Sequence, residues 1–142
     1  MKMTEAFAAY GATLVNPQWA CSAIAEDGSV VVSLWQQFFR PIPGRKGLRY
    51  EDSFAWEVNK NGQSLLREHL RQAMDSSRPV RVVIAIPEND KDKNVISSGK
   101  KKPANRIKKT FDIRKSWIGR VVEVEDSRFV IDFNMAATAS HQ

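Results

Sequence analysis

The run Val80-Arg81-Val82-Val83-Ile84-Ala85-Ile86 constrains this chain more than any other stretch. It is apolar on both alternating faces, so it reads as a central strand covered on at least one side rather than as a strand with one wet face. Its cover comes just before it. Leu65, Leu66, His69, Leu70, Ala73 and Met74 recur at spacings of three and four, which places them on one face of a helix, with Arg67, Glu68, Arg71 and Gln72 on the other. Asn61 is the candidate N-cap, and the helix is expected to end near Ser76-Ser77, before Pro79.

A hairpin lies upstream. Trp19 to Ala25 and Val30 to Gln36 are rich in β-branched and aromatic residues, and Glu26-Asp27-Gly28-Ser29 is a polar, glycine-bearing turn between them. Antiparallel pairing about Asp27-Gly28 brings Trp19 and Trp35 to one end of the ribbon, which also carries Phe38 and Phe39. Strand, helix, strand in this order predicts a crossover within a mixed sheet.

The remaining segments add edges and loops. Ala12 to Val15 is expected as a short strand broken by Asn16-Pro17, and Leu48 to Val58 is expected to contribute a strand after a loop rich in proline and glycine. Gly119 to Val124 and Arg128 to Phe133 form a second hairpin around Asp126-Ser127. Its alternation places Phe129, Ile131 and Phe133 on one face, and Val122 with Val124 opposite Arg120 and Glu123. The fold class is therefore α+β: a mixed, largely antiparallel sheet with one main amphipathic helix, and partial closure toward a barrel as an open alternative. At 142 residues the chain is expected to be a single domain over 1–142, with a mobile basic loop at about 88–109 and a frayed tail at about 136–142.

Charge is localised. The chain carries a net +6, yet Lys91 to Lys115 alone holds ten basic and two acidic residues, which leaves the rest slightly acidic. Clustered positive charge of this kind is what contact with a phosphate backbone requires. The single cysteine, Cys21, cannot form an intramolecular disulfide and is expected to be a small buried residue of a cytoplasmic protein. The N-terminus has neither a long apolar run nor a signal-peptide pattern, so no membrane association is expected.

No catalytic constellation is present. His69 falls on the apolar face of the helix and reads as a packed or hydrogen-bonded structural histidine, while His141 lies in the tail. Two histidines and one cysteine cannot build a standard zinc site, and Gly44 and Gly47 are too isolated for a phosphate loop. Asp52, Glu57 and Lys60 superficially offer the residue types of a restriction-type nuclease, a signal of low specificity. No catalytic residues, metal or cofactor are assigned.

Two features remain, the aromatic end of the first hairpin and the basic segment. Together they match the needs of nucleic-acid recognition, in which phosphate contacts fix position and an aromatic pocket stacks an exposed base. Trp19, Trp35 and Trp56 are the principal pocket candidates, with Tyr50 and Phe39 beside them. Asn16, Gln18 and Asp52 could hydrogen-bond a base edge, and Lys100, Lys101, Lys102, Arg106, Lys108 and Lys109 are the phosphate candidates.

The string NPQWACSAIAEDGSVVVSLWQQFF resembles the opening hairpin in the N-terminal domains of McrA-type, modification-dependent HNH endonucleases. The order that follows, a loop with an aromatic, an amphipathic helix and an apolar strand, is similar too, over Val15 to Ile86. The resemblance implies binding of DNA carrying a modified base such as methylcytosine. The histidines and zinc cysteines of the HNH half have no counterpart here, so the implied role is a stand-alone reader or the partner of a separate nuclease. The alternatives are an interaction module of a mobile element, a small-ligand binder, or a minimal nuclease using Asp52, Glu57 and Lys60.

Overall fold

The computed structural model describes residues 1–54, 60–89 and 107–134. The chain opens with a short helix, α1 (Met3–Ala8), and enters the hairpin of β1 (Ser22–Ile24) and β2 (Val30–Trp35). Ser22 pairs with Val32 and Ile24 with Val30, so the strands meet in the predicted antiparallel sense. Gly28 turns the chain at φ +88°, and Asp27 Oδ1 accepts the Ser29 N–H to hold the turn. A 3-10 turn (Gln36–Phe38) then leads into β3 (Phe39–Pro41), β4 (Leu48–Ser53), α2 (Lys60–Asp75) and β5 (Val80–Pro87). The chain closes with β6 (Lys109–Ile113), β7 (Ile118–Val124) and β8 (Arg128–Asn134).

The eight strands among the described residues form one sheet in the order β1-β2-β5-β7-β8-β4-β3, with β6 also paired to β5. Among the described strands only the β2–β5 pairing is parallel, and the chain between those two strands runs through the 3-10 turn, β3, β4 and then α2. Every residue of β5 from Val80 to Ala85 pairs with β2 on one side. On the other side β6 takes Val83 to Pro87 and β7 takes Val80 alone, so the chain bends between Ile113 and Ile118 and β7 peels away to β8. The sheet is an open path with β1 and β3 at its edges, not a barrel, so the partly barrel-like alternative is set aside.

Alternation along β2 and β5 separates two apolar layers. Val30, Val32, Leu34, Val80, Val82 and Ile84 face α2 and join Leu66, Leu70 and Ala73 in the main core, which β8 and β4 extend through Phe129, Ile131, Phe133 and Tyr50. Val31 and Val83 face the opposite way, toward α1 and the segment after it, where Phe7, Ala12, Leu14 and Ala20 cover them. The apolar run of β5 is therefore covered on both faces.

Several local expectations change. Ala12 makes a single antiparallel bridge to Ala25, and the helical part of that region is Met3–Ala8. Helix α2 already includes Asn61, and Met74 is 46% exposed because the buried stripe runs through Leu66, His69, Leu70 and Ala73. In the second hairpin the core residue is Val121, while Val122 is 43% exposed. The register Gly119↔Phe133 and Val121↔Ile131 places Val121 inward, and a bulge between Val121 and Glu123 resets the phase so that Val124 faces Phe129. Among the described residues no helix is long and apolar enough to cross a membrane. The mobile stretch expected at about 88–109 and the frayed tail expected at about 136–142 fall mainly on residues 90–106 and 135–142, outside the described residues.

Candidate nucleic-acid interface

The end of the sheet at Trp35 collects aromatic side chains on both faces. Trp35 ends β2 in phase with Val31, so its indole lies on the α1 side, buried against Ala85 and Ile107 with Phe38 and Phe111 beside them. On the α2 side, Phe39 forms a second cluster with ring centroids 5.0 Å from Tyr50, 5.6 Å from Trp117 and 5.7 Å from Phe133. Phe38 packs against both clusters. A hydrogen bond also crosses between them: the Trp35 backbone N–H donates to the Tyr50 hydroxyl at 3.1 Å.

The Tyr50 hydroxyl passes this contact on. It donates to Asp52 Oδ2 at 3.0 Å, and Asp52 Oδ1 accepts the Ser53 N–H at 2.7 Å. Tyr50 is fully buried, and desolvation followed by the neighbouring Asp52 charge holds its phenol well above the ordinary value. Burial also pushes the Asp52 carboxyl up to about 7, against the opposing pull of the Ser53 and Tyr50 hydrogen bonds. Asp52 is thus a carboxyl that changes charge near neutrality, one hydrogen bond from the aromatic cluster.

Trp19 lies elsewhere. It is half-buried in the turn where Asn16 O accepts the N–H groups of Trp19 and Ala20, and it packs with the α1 cluster rather than with Trp35. Asn16 Oδ1 is occupied by the Gln18 N–H at 2.9 Å, a local turn contact, and Gln18 itself is exposed. Trp56, Glu57, Lys100, Lys101, Lys102 and Arg106 lie outside the described residues.

The described end of the basic segment reaches the Trp35 cluster directly. Lys109 Nζ lies 5.8 Å from the Trp35 ring centroid and 6.0 Å from that of Phe111, a cation over two π faces. Lys108 is exposed, and its carbonyl accepts the Glu88 N–H at 3.0 Å, which ties together the two flanks of residues 90–106. The stretch expected as loop includes Ile107, which is buried in the Trp35 cluster, and Lys109, which begins β6. Residue types placed Phe38 at the aromatic end without making it a pocket candidate, and made neither Phe111 nor Trp117 one. The lysine–aromatic alternation of Lys109 and Phe111 was the available signal, and it needed the register of β6 on β5 to acquire meaning.

His69 is a buried partner of Ser22: Ser22 Oγ and His69 Nδ1 share a hydrogen bond of 2.8 Å on the α2 side of β1. Burial lowers the imidazole pKa, which favours the neutral ring. A Ser22→Ala variant should therefore lose about 1–3 kcal/mol at pH 7, the cost of an unpaired buried imidazole nitrogen, measurable by urea denaturation. Among the described residues, no three His, Cys, Asp or Glu side chains come together as a metal-binding group.

Family models, curated proteins and solved structures all give no match. The functional reading of this chain therefore stands on its own residues.

Proposed function

We propose that this chain is a DNA-binding module that reads a modified base, without catalytic activity of its own, in the cytoplasm. The observation that carries the reading is the seating of Lys109 over the Trp35 and Phe111 rings, with the flanks of the basic stretch joined beside it by the Glu88–Lys108 hydrogen bond. Positive charge and aromatic surface, the two elements needed to hold a backbone and stack a base, are thereby rooted at one end of the sheet. Lys100, Lys101, Lys102, Arg106, Lys108 and Lys109 are the phosphate contacts on this reading. The base is a methylated or otherwise modified cytosine, and a separate nuclease would act on the DNA so marked.

The test is the salt dependence of duplex binding. Phosphate contacts release counterions, so each one lost lowers the slope of log affinity against log salt by about 1. Lys108→Ala combined with Lys109→Ala should reduce that slope by about 1–2 and weaken binding to modified and unmodified DNA alike. An unchanged slope removes both lysines from the interface. Native protein that is not retained on DNA at low salt removes the reading altogether.

A further inference from the structure

Gln37 occupies the middle of the 3-10 turn between β2 and β3, and this turn packs against β5 and β4. Its carboxamide Nε2 and Oε1 are both buried, and neither has a hydrogen-bond partner among the described residues. The main-chain carbonyl of the same residue is satisfied, by the Arg40 guanidinium. Arg81 Nε shares the unpaired condition, but the Arg81 guanidinium is otherwise engaged, bonded to the Lys115 carbonyl and lying over the Tyr10 ring. The Gln37 carboxamide has no such compensation among the described residues. Buried side-chain amides are almost always paired, because an unmade donor and acceptor each retain their full desolvation cost, whereas a leucine of similar size would occupy the turn without it.

Such a group is retained at a cost in the free protein when something else completes it. We propose that the Gln37 carboxamide is the hydrogen-bonding reader of the ligand site at this end of the sheet, and that its ligand is a nucleobase. This rests on the DNA-binding reading above. The side-chain amide presents a donor and an acceptor side by side, the pattern that pairs with the donor–acceptor edge of a base through two hydrogen bonds. Its sequence neighbour Phe38 bridges the two aromatic clusters, and Lys109 stands over the Trp35 ring of one of them. Aromatic surface for a base, charge for its phosphate and an unmet amide for its edge thus belong to one short region. A base still stacked in a duplex does not reach a buried amide, so the ligand is an extruded or single-stranded base.

The experiment compares two short duplexes by fluorescence anisotropy, one with a single cytosine opposite an abasic site and one with abasic sites at both positions. The native protein is expected to prefer the base-bearing duplex by about tenfold, the discrimination typical of a bidentate contact. Gln37→Leu should lose that preference, keep salt-dependent binding to both duplexes, and melt about 2–6 °C higher in the absence of DNA. Gln37→Glu, which keeps the shape and replaces the donor by an acceptor, should also lose the preference. An equal preference in native protein and Gln37→Leu, or a lower melting temperature for Gln37→Leu, overturns the inference and leaves the DNA-binding reading in place. Absence of salt-sensitive binding by the native protein to either duplex overturns that reading, and the inference with it.

Discussion

At pH 8 the Asp52→Asn variant is expected to be more stable than the native protein by roughly 2–4 kcal/mol, while at pH 4 the two should be nearly equal. In the unfolded chain the Asp52 carboxyl ionises near its ordinary value of 3.8, whereas in the fold burial holds its proton until about pH 7. Between those values the native state binds more protons, so stability from this group is greatest in acid, falls as the pH rises toward 7, and is level above it. The full separation corresponds to about 4 kcal/mol, and the lower bound allows for the partial exposure of the side chain. Asparagine cannot ionise, which removes this dependence. It keeps an oxygen for one of the two donors, Tyr50 Oη–H or Ser53 N–H, and its NH2 group can donate to Tyr50 Oη. Urea denaturation of both proteins from pH 4 to pH 8 measures the effect, and parallel curves would mean that Asp52 ionises freely in the fold. Burial of His69 acts in the opposite direction, since an imidazole kept neutral loses stability as the pH falls below its ordinary 6.5.

Two glycines that press on Phe133, Gly47 in the bend just before β4 and Gly119 in β7, should both be intolerant of alanine but for different reasons. Gly47 has φ +120°, and a Cβ there would sit 2.7 Å from the Phe133 carbonyl oxygen and 3.3 Å from Ile42 Cδ1. Both the backbone angle and the contact with main chain oppose it, so Gly47→Ala is expected to cost about 2–4 kcal/mol. Gly119 lies directly across from Phe133, and a Cβ there would meet the ring at 2.6 Å from Cε1 and 2.9 Å from Cδ1. Gly119→Ala should cost about 2–3 kcal/mol by overpacking. The two are separable by thermal unfolding in a second background. Phe133→Leu removes the ring but not the carbonyl, so it should recover part of the loss from Gly119→Ala and none of that from Gly47→Ala. Equal recovery in both would show that the backbone, not the ring, limits position 119. Because Phe133 also touches Phe39 and Trp117, these glycines set how closely the aromatic cluster packs against β7 and β4.

Much of the scaffold was legible in local residue order. The Asp27-Gly28 turn, the stripe of α2, the apolar run of β5 and the Asp126-Ser127 hairpin are signals contained within a few residues, and each corresponds to an element found in place. The misplacements share one cause. Val121 and Val122 are equivalent to any local pattern, and only the bulge opposite β8 decides which of them enters the core. Met74 satisfies the helical spacing, yet it is exposed, outside the buried stripe of Leu66, His69, Leu70 and Ala73.

The candidate site shows the same division. Sequence by itself determined that aromatic residues gather where β2 ends and that one segment carries the positive charge, since both follow from residue type and short-range order. Only the tertiary structure decided that the Trp35 and Tyr50 rings lie on opposite faces of the sheet and that Trp19 belongs to neither of their clusters. It also decided that Lys109 reaches Trp35, that the Asp52 carboxyl is shielded, and that the Gln37 amide is buried without a partner among the described residues. The physical reason is that exposure, charge state and hydrogen-bond satisfaction depend on which distant strands meet. That is set by pairing across the sheet, β5 with β6 and β4 with β8, between segments that no local pattern relates.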